Sequence, residues 1–173
     1  MRDIADTAKR CHDETGWLAG RKGLHTMSEG PSASWDSRAP ENHHADDVHG
    51  WYTLGMELLG RGSPAAAAQV LQRAAEAVPE SRSVREALAR AQFDTGQYAA
   101  AAENFRVIVE ASPAEDYACF GLGLSLSRTG EHAAAAQYLA LAAAMRPLKH
   151  YTEALRQVRA TLEARKRAAE GAS

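Results

Sequence analysis

A period of 34 residues constrains the fold of this 173-residue chain more than any other feature of its sequence. Four residue types recur at this spacing: proline at Pro79, Pro113 and Pro147, glycine at Gly62, Gly96 and Gly130, alanine at Ala67, Ala101 and Ala135, and leucine at Leu54, Leu88 and Leu122. An internal period of this length is typical of a solenoid of helix–turn–helix units. One such unit cannot bury its apolar face alone, so neighbouring units must stack.

Each period predicts two helices. The glycine ends the first helix, and the proline stops the second because it cannot continue the hydrogen-bond ladder. The predicted repeats are 48–81, 82–115 and 116–149. Residues 150–173 are predicted to form a capping helix over 150–169 and a short tail, since Tyr151, Ala154, Leu155, Val158 and Leu162 share one helical face. The sequence therefore predicts an all-α protein of about seven helices.

The repeats carry much of one family's residue pattern, which is Trp-x2-Leu-Gly-x2-Tyr, then Ala-x3-Phe, then Pro. The matching residues are Trp51, Leu54, Gly55, Ala67, Leu71 and Pro79 in the first repeat, Leu88, Ala101, Phe105 and Pro113 in the second, and Leu122, Gly123, Ala135, Leu139 and Pro147 in the third. In this pattern the chain resembles the tetratricopeptide repeat family. The resemblance implies a right-handed superhelical solenoid of antiparallel helix pairs that binds other proteins and is not an enzyme.

Small residues at fixed places indicate close helix contact. We expect Gly55, Ala89 and Gly123 to meet the alanines of their paired helices, Ala67, Ala101 and Ala135. Cys119 stands at the place of the family's tryptophan, and we interpret it as a small buried residue. The fragment Gly121-Leu122-Gly123 is interpreted as helix packing and not as a dinucleotide-binding loop, because no strand precedes it.

Residues 1–47 differ from the rest. Their hydrophobic residues are sparse and unperiodic, and the segment contains Gly30-Pro31-Ser32 and Ala39-Pro40. We predict a disordered or loosely ordered segment. Met27 also stands as an alternative start, so residues 1–26 need not belong to the native protein.

Composition excludes several functional classes. The formal net charge of −2 argues against a dedicated nucleic-acid binder, which needs a basic footprint. The longest apolar stretch, Ala133 to Met145, is too short to span a bilayer, so no membrane partner is expected. The two cysteines, Cys11 and Cys119, lie far apart, which favours a reducing cytoplasm. The abundance of alanine and arginine favours a bacterial source.

Motifs for catalysis or for a cofactor are missing from the sequence. It contains no glycine-rich phosphate loop, no nucleophile elbow and no His-Glu-x-x-His pattern. We therefore predict a protein that is not an enzyme and that holds no cofactor.

The family resemblance implies a binding groove lined by the first helix of each repeat. The corresponding residues are His49, Tyr52, Met56 and Leu59 in the first repeat, Glu86, Arg90 and Phe93 in the second, and Tyr117, Phe120, Leu124 and Arg128 in the third. We expect four aromatic residues to anchor a protein or peptide partner: Tyr52, Phe93, Tyr117 and Phe120. Three charged residues would set its register: Glu86, Arg90 and Arg128.

Family members that clamp a terminal carboxylate present basic and asparagine side chains at defined groove places. Here those places hold Tyr52, Met56, Ala87, Tyr117 and Gly121, so the resemblance implies that this clamp is absent. The groove instead suits an apolar or amphipathic segment.

Two alternatives remain open. In the first, the chain associates with itself: its groove is covered by residues 1–47, through Trp17 or Trp35, or by a second copy in a homodimer. In the second, the chain is a metal-binding accessory protein that uses His43, His44 and His49. We favour partner binding, because the repeat pattern assigns no covering element to the face that carries Tyr117, Phe120 and Leu124.

Overall fold

The computed structural model describes residues 43–171, with side chains from Asp47 onward. Seven helices occupy this part of the chain: α1 (His43–Gly60), α2 (Pro64–Ala77), α3 (Arg82–Asp94), α4 (Tyr98–Ala111), α5 (Asp116–Thr129), α6 (His132–Met145) and α7 (Lys149–Glu170). The same part contains no strand. The predicted all-α architecture is confirmed, and α1 begins before the predicted Val48. The predictions for residues 1–42 lie outside the described part of the chain.

The three glycine turns share one geometry. Gly62, Gly96 and Gly130 have φ angles of 72°, 81° and 93°, in the left-handed region that favours glycine. Each turn also repeats one backbone hydrogen bond, in which an N–H donates to a carbonyl oxygen five residues earlier. These bonds join Ser63 to Leu58 at 2.9 Å, Gln97 to Gln92 at 2.8 Å and Glu131 to Leu126 at 2.9 Å. The bond satisfies a carbonyl that the helix end leaves without a partner.

The helices stack in chain order. Consecutive helices from α2 to α7 pack against each other, and α1 reaches α2 through Gly55 and Leu71. The first helices of the second and third repeats also meet, α3 with α5, and α5 meets the capping helix α7. Among the described helices, α4 makes no such contact with α6, nor α2 with α4. The first helices therefore lie closer together and form the inner, concave side.

Helix α5 lies at the centre of the larger core. Its Gly121 faces the Phe105 ring of α4, and a Cβ atom there would lie 2.5 Å from Cζ of that ring. Two residues on, Gly123 faces α6, where a Cβ atom would lie 2.7 Å from Cγ of Leu139. Because positions two apart lie on nearly opposite faces of a helix, α5 makes close contact on both sides.

The observed partners of the small residues correct the sequence prediction. The predicted partners of Gly55, Ala89 and Gly123 are Ala67, Ala101 and Ala135. The atoms nearest to a Cβ at Gly55 and at Gly123 instead belong to Leu71 and Leu139. A Cβ at Gly123 would also lie 3.2 Å from the Ala135 carbonyl oxygen. The bulky residue of each second helix thus requires a small residue on its neighbour.

Helix α7 caps the last repeat through a polar and an aromatic contact. The Tyr151 hydroxyl donates to Oδ2 of Asp116 at 3.0 Å, and Nε of Arg146 lies 3.6 Å from the same oxygen. The Tyr151 ring stacks on Phe120 with ring centroids 4.3 Å apart. Burial and the nearby Asp116 carboxylate raise the pKa of Tyr151, so its hydroxyl stays a donor. The predicted capping helix is therefore present, with Tyr151, Ala154 and Val158 buried.

Two histidines lie in the packing around α7. His132 begins α6 and is 7 % exposed, and its Nδ1 atom has no hydrogen-bond partner among the described residues. His150 is the second residue of α7, and its ring meets Phe120 edge-to-face with ring centroids 5.3 Å apart. Burial lowers the pKa of both, and the charge of Arg165 lowers that of His132 further. Protonation of either imidazole is therefore less favourable in the folded chain than in the unfolded one.

Replacing Gly121 by alanine should destabilise the fold by about 1–3 kcal/mol, because the added methyl group would overlap the Phe105 ring. Gly50→Ala is the matched control: it lies within α1, and a Cβ there meets nothing within 4 Å. This control should stabilise the helix by about 0.5–1 kcal/mol. Urea unfolding followed by circular dichroism measures both. Equal stability of the two variants would contradict the close approach of α5 to α4.

Stability should fall as the pH drops below about 6.5, the ordinary pKa of histidine. The pKa values of His132 and His150 are lower in the folded than in the unfolded chain, so the unfolded chain binds more protons in this range. In a His132→Gln, His150→Gln double variant, the free energy of unfolding should depend less on pH between about 6.5 and 5. Urea unfolding at a series of pH values tests this, and an unaltered dependence would show that these histidines are not its source.

Candidate functional site

The concave side formed by α1, α3 and α5 holds most of the predicted groove residues. On α1, His49 is exposed, Tyr52 is half-buried and Met56 is 36 % exposed. Leu59 is buried in a cluster with α2 and α3, so it supports the surface without forming it. Helix α1 therefore offers an aromatic and a thioether side chain to the groove.

Helix α3 places charges at a spacing of one helical turn. Glu86, Arg90 and Asp94 follow each other at intervals of four residues and therefore share one face. Arg90 is only 8 % exposed, whereas Asp94 is exposed. The Arg90 guanidinium is therefore largely shielded from solvent, whereas the Asp94 carboxylate faces it.

Tyr117 of α5 lies against this charged face. Burial raises its pKa well above the usual range, Glu86 and Asp94 raise it further, and Arg90 opposes them. Its ring meets Phe105 edge-to-face, with centroids 6.2 Å apart. Tyr117 is thus fixed by its core contact and keeps a neutral hydroxyl at physiological pH.

An aromatic and cationic cluster forms the glycine-turn end of the groove. The Phe93 and Tyr98 rings meet edge-to-face at 5.2 Å, and Cζ of Arg128 lies 5.5 Å from the centroid of Tyr98. The contact of a guanidinium with an aromatic face stabilises and orients it. The repeat pattern did not assign Tyr98 to the groove, because Tyr98 begins a second helix. Its position two residues after the turn glycine Gly96 was the signal in the sequence that could have identified it.

The prediction that Phe120 anchors a partner in the groove is wrong. Its side chain is 1 % exposed and lies between α5 and α7, stacked on Tyr151. The expectation that no element covers this face of α5 fails at Phe120, because α7 covers it. Tyr117 and Leu124 on the same helix are only half-buried, so they remain on the concave side.

The places of the carboxylate clamp hold no basic side chain. Tyr52, Met56 and Tyr117 lie on the concave side, while Ala87 and Gly121 are buried in the helix packing. The five positions thus offer an apolar and aromatic lining where a clamp needs positive charge.

The part of the chain that the structure describes contains neither a cluster of metal ligands nor a membrane-spanning helix. No group of three or more His, Cys, Asp or Glu side chains there could hold a metal ion. His49 is exposed on α1, and the side chains of His43 and His44 lie outside that part. No described helix is long and apolar enough to cross a bilayer. The metal-binding alternative stays a prediction, as does coverage of the groove by residues 1–47.

Comparison with protein families gives one match. The profile described as tetratricopeptide repeat matches residues 52–116 and 87–150, which together span 52–150. No curated protein sequence is similar enough to count as a match.

Solved structures of the same architecture resemble the chain. MamA residues 41 to the end, from Desulfovibrio magneticus RS-1, superposes with a TM-score of 0.66 at 22 % identity, covering 75 % of this chain and 73 % of that one. The first such domain of human RPAP3 gives 0.63 at 16 % identity, covering 69 % and 95 %. The Sgt2 domain from Aspergillus fumigatus gives 0.64 at 17 % identity, covering 70 % and 82 %. These likenesses concern the fold.

Proposed function

Because the chain belongs to the tetratricopeptide repeat family, we propose that it is a non-enzymatic interaction module that binds a segment of a partner protein in its concave groove. The observation that carries this proposal is a row of incompletely buried apolar and aromatic side chains. They come from three successive first helices: Tyr52, Met56, Phe93, Tyr117 and Leu124. Such a row suits the apolar face of a docked helix or alternate side chains of an extended peptide.

The charges around the row would give the bound segment its direction. Glu86 and Asp94 border the groove on α3, and Arg128 borders it on α5, fixed against Tyr98. Charged groups at the edge of an interface chiefly govern orientation and rate of association, while desolvated aromatic groups supply more of the affinity. We therefore assign anchoring to Tyr52, Phe93 and Tyr117.

The proposed partner differs in kind from a peptide held by its terminal carboxylate. The first repeat domain of RPAP3 has been solved with the HSP90 peptide SRMEEVD bound. In the present chain the corresponding clamp places carry no positive charge. The negative charges of an acidic carboxyl-terminal peptide would therefore have no basic partner at these places. An apolar or amphipathic segment is the better fit. Composition and the two distant cysteines favour a bacterial cytoplasmic setting for this partner.

Charge introduced into the groove should abolish partner capture. We expect a Met56→Glu, Arg128→Glu double variant not to capture the proteins that the wild-type chain captures from an extract of its native cells. Met56→Glu places a carboxylate in the apolar row, and Arg128→Glu reverses the charge at its border. The matched control is Leu54→Glu, Arg73→Glu: it makes the same charge changes, Leu54 is 42 % exposed on another face of α1, and Arg73 is exposed on α2.

Quantitative mass spectrometry of the retained proteins measures the difference, and circular dichroism checks that both variants keep their helices. Partners that survive in the groove variant, or that are lost equally in both variants, would refute binding in the groove.

The peptide SRMEEVD should show no saturable binding to this chain. The missing positive charge at the clamp places is the physical reason, since carboxylate recognition depends on charge-assisted hydrogen bonds. Isothermal titration calorimetry tests this, with the RPAP3 domain as the positive control. Saturable binding that survives the groove double variant would contradict both the assignment of the clamp places and the proposed groove.

A further inference from the structure

Helix α6 has no charged residue among its 14. Ala135, Leu139 and Ala142 are completely buried in the core. On other sides of the same helix, Leu141 is 41 % exposed, and Ala133, Gln137 and Ala144 are exposed as well. A helix that is apolar all round is normally buried on all sides. The helices packed against α6 in the described structure, α5 and α7, leave this outer face uncovered.

The repeat itself does not require an apolar outer face. The place of Leu141 is held by Val107 in the second repeat and by Arg73 in the first, and all three are exposed. The place of Ala144 is likewise held by Glu110 and Glu76. The convex side therefore changes from charged on α2 to uncharged on α6. Among the described residues no element packs against this outer face, so their packing does not require the change.

We propose that two copies of this chain associate through the outer faces of their α6 helices. A twofold interface brings the same patch together from both copies, so each charge near the axis would meet its own equivalent. An uncharged patch avoids this repulsion. Its small side chains, Ala133 and Ala144, also let two helix axes approach closely. Leu141 lies between them and supplies the largest apolar contact.

The charges beside α6 favour one arrangement of the two copies. Helix α4 exposes Glu103, which pairs with Arg106 of the same helix, and Glu110, whereas α7 exposes the cations Arg156, Arg159 and Lys166, with Glu163 among them, so α4 is acidic in balance and α7 is basic. A twofold axis parallel to α6 places α4 of one copy opposite α7 of its partner, so acidic groups face basic groups. A perpendicular axis would bring α4 against α4 and α7 against α7. The parallel arrangement is therefore the one that charge complementarity selects.

The size of the face predicts weak association. A stable interface usually takes about 20–30 residues from each copy. The outer face of α6 and its two flanks offer fewer, so we expect a dissociation constant of about a micromolar or weaker. The attraction between the flanks should also make association weaker at high salt.

Sedimentation velocity of the full chain over a concentration series tests the proposal. The wild-type chain should form dimers as concentration rises. Leu141→Glu places carboxylates at the centre of the interface from both copies and should raise the dissociation constant about tenfold or more. The control Leu54→Glu introduces the same charge at a leucine of nearly the same exposure, 42 % against 41 %, and should leave dimerisation unchanged. Circular dichroism confirms that both variants remain folded.

Three results would overturn the proposal. The first is a wild-type chain that stays monomeric at about 100 times the expected dissociation constant. The others are a dimer that Leu141→Glu leaves intact, and a loss of dimer with Leu54→Glu that equals the loss with Leu141→Glu. A dimer disrupted by the groove double variant instead of Leu141→Glu would assign self-association to the groove. The two surfaces share no residue, so partner capture and dimerisation succeed or fail separately.

Discussion

The close approach of α5 to the helices on either side holds the two later repeats together. Gly121 admits the Phe105 ring from the repeat before, and Gly123 admits Leu139 from the same repeat. A methyl group at either glycine would overlap its neighbour, so both contacts depend on the absence of a side chain. The alternation of bulky and absent side chains sets the spacing of the helices, and from this spacing follows the line of first helices that forms the concave side.

Helix α5 contributes side chains both to the core and to the concave side. At its beginning, Asp116 and Phe120 bind α7, through the Tyr151 hydroxyl and ring. At its end, Arg128 lies against Tyr98 on the concave side. Between them, Tyr117 and Leu124 stay partly accessible. The side chains that close the core and those available to a partner therefore alternate on one helix, so a substitution meant to test binding must avoid the buried set.

The concave and convex sides offer surfaces of different chemistry. The concave row combines aromatic and apolar side chains with charges at its borders, which suits recognition of a segment with a defined direction. The outer face of α6 has no charge and small side chains, which suits association with an identical face. Because these surfaces lie on different helices, a dimer would present two grooves, and binding of a partner at two sites strengthens its overall attachment.

The sequence alone determined the repeat length, the helix pairs, the turn glycines and the capping helix, because each follows from residue types at fixed spacing. It also placed Tyr52, Met56 and Leu124 on first helices. Only the tertiary structure decided which of these side chains are accessible. Phe120 was assigned to the groove because the pattern within a repeat does not show how α7 packs across it, and Tyr98 was missed because it reaches Phe93 and Arg128 from a second helix. Spacing along the chain specifies the face of a helix, whereas burial depends on the helices that pack against that face.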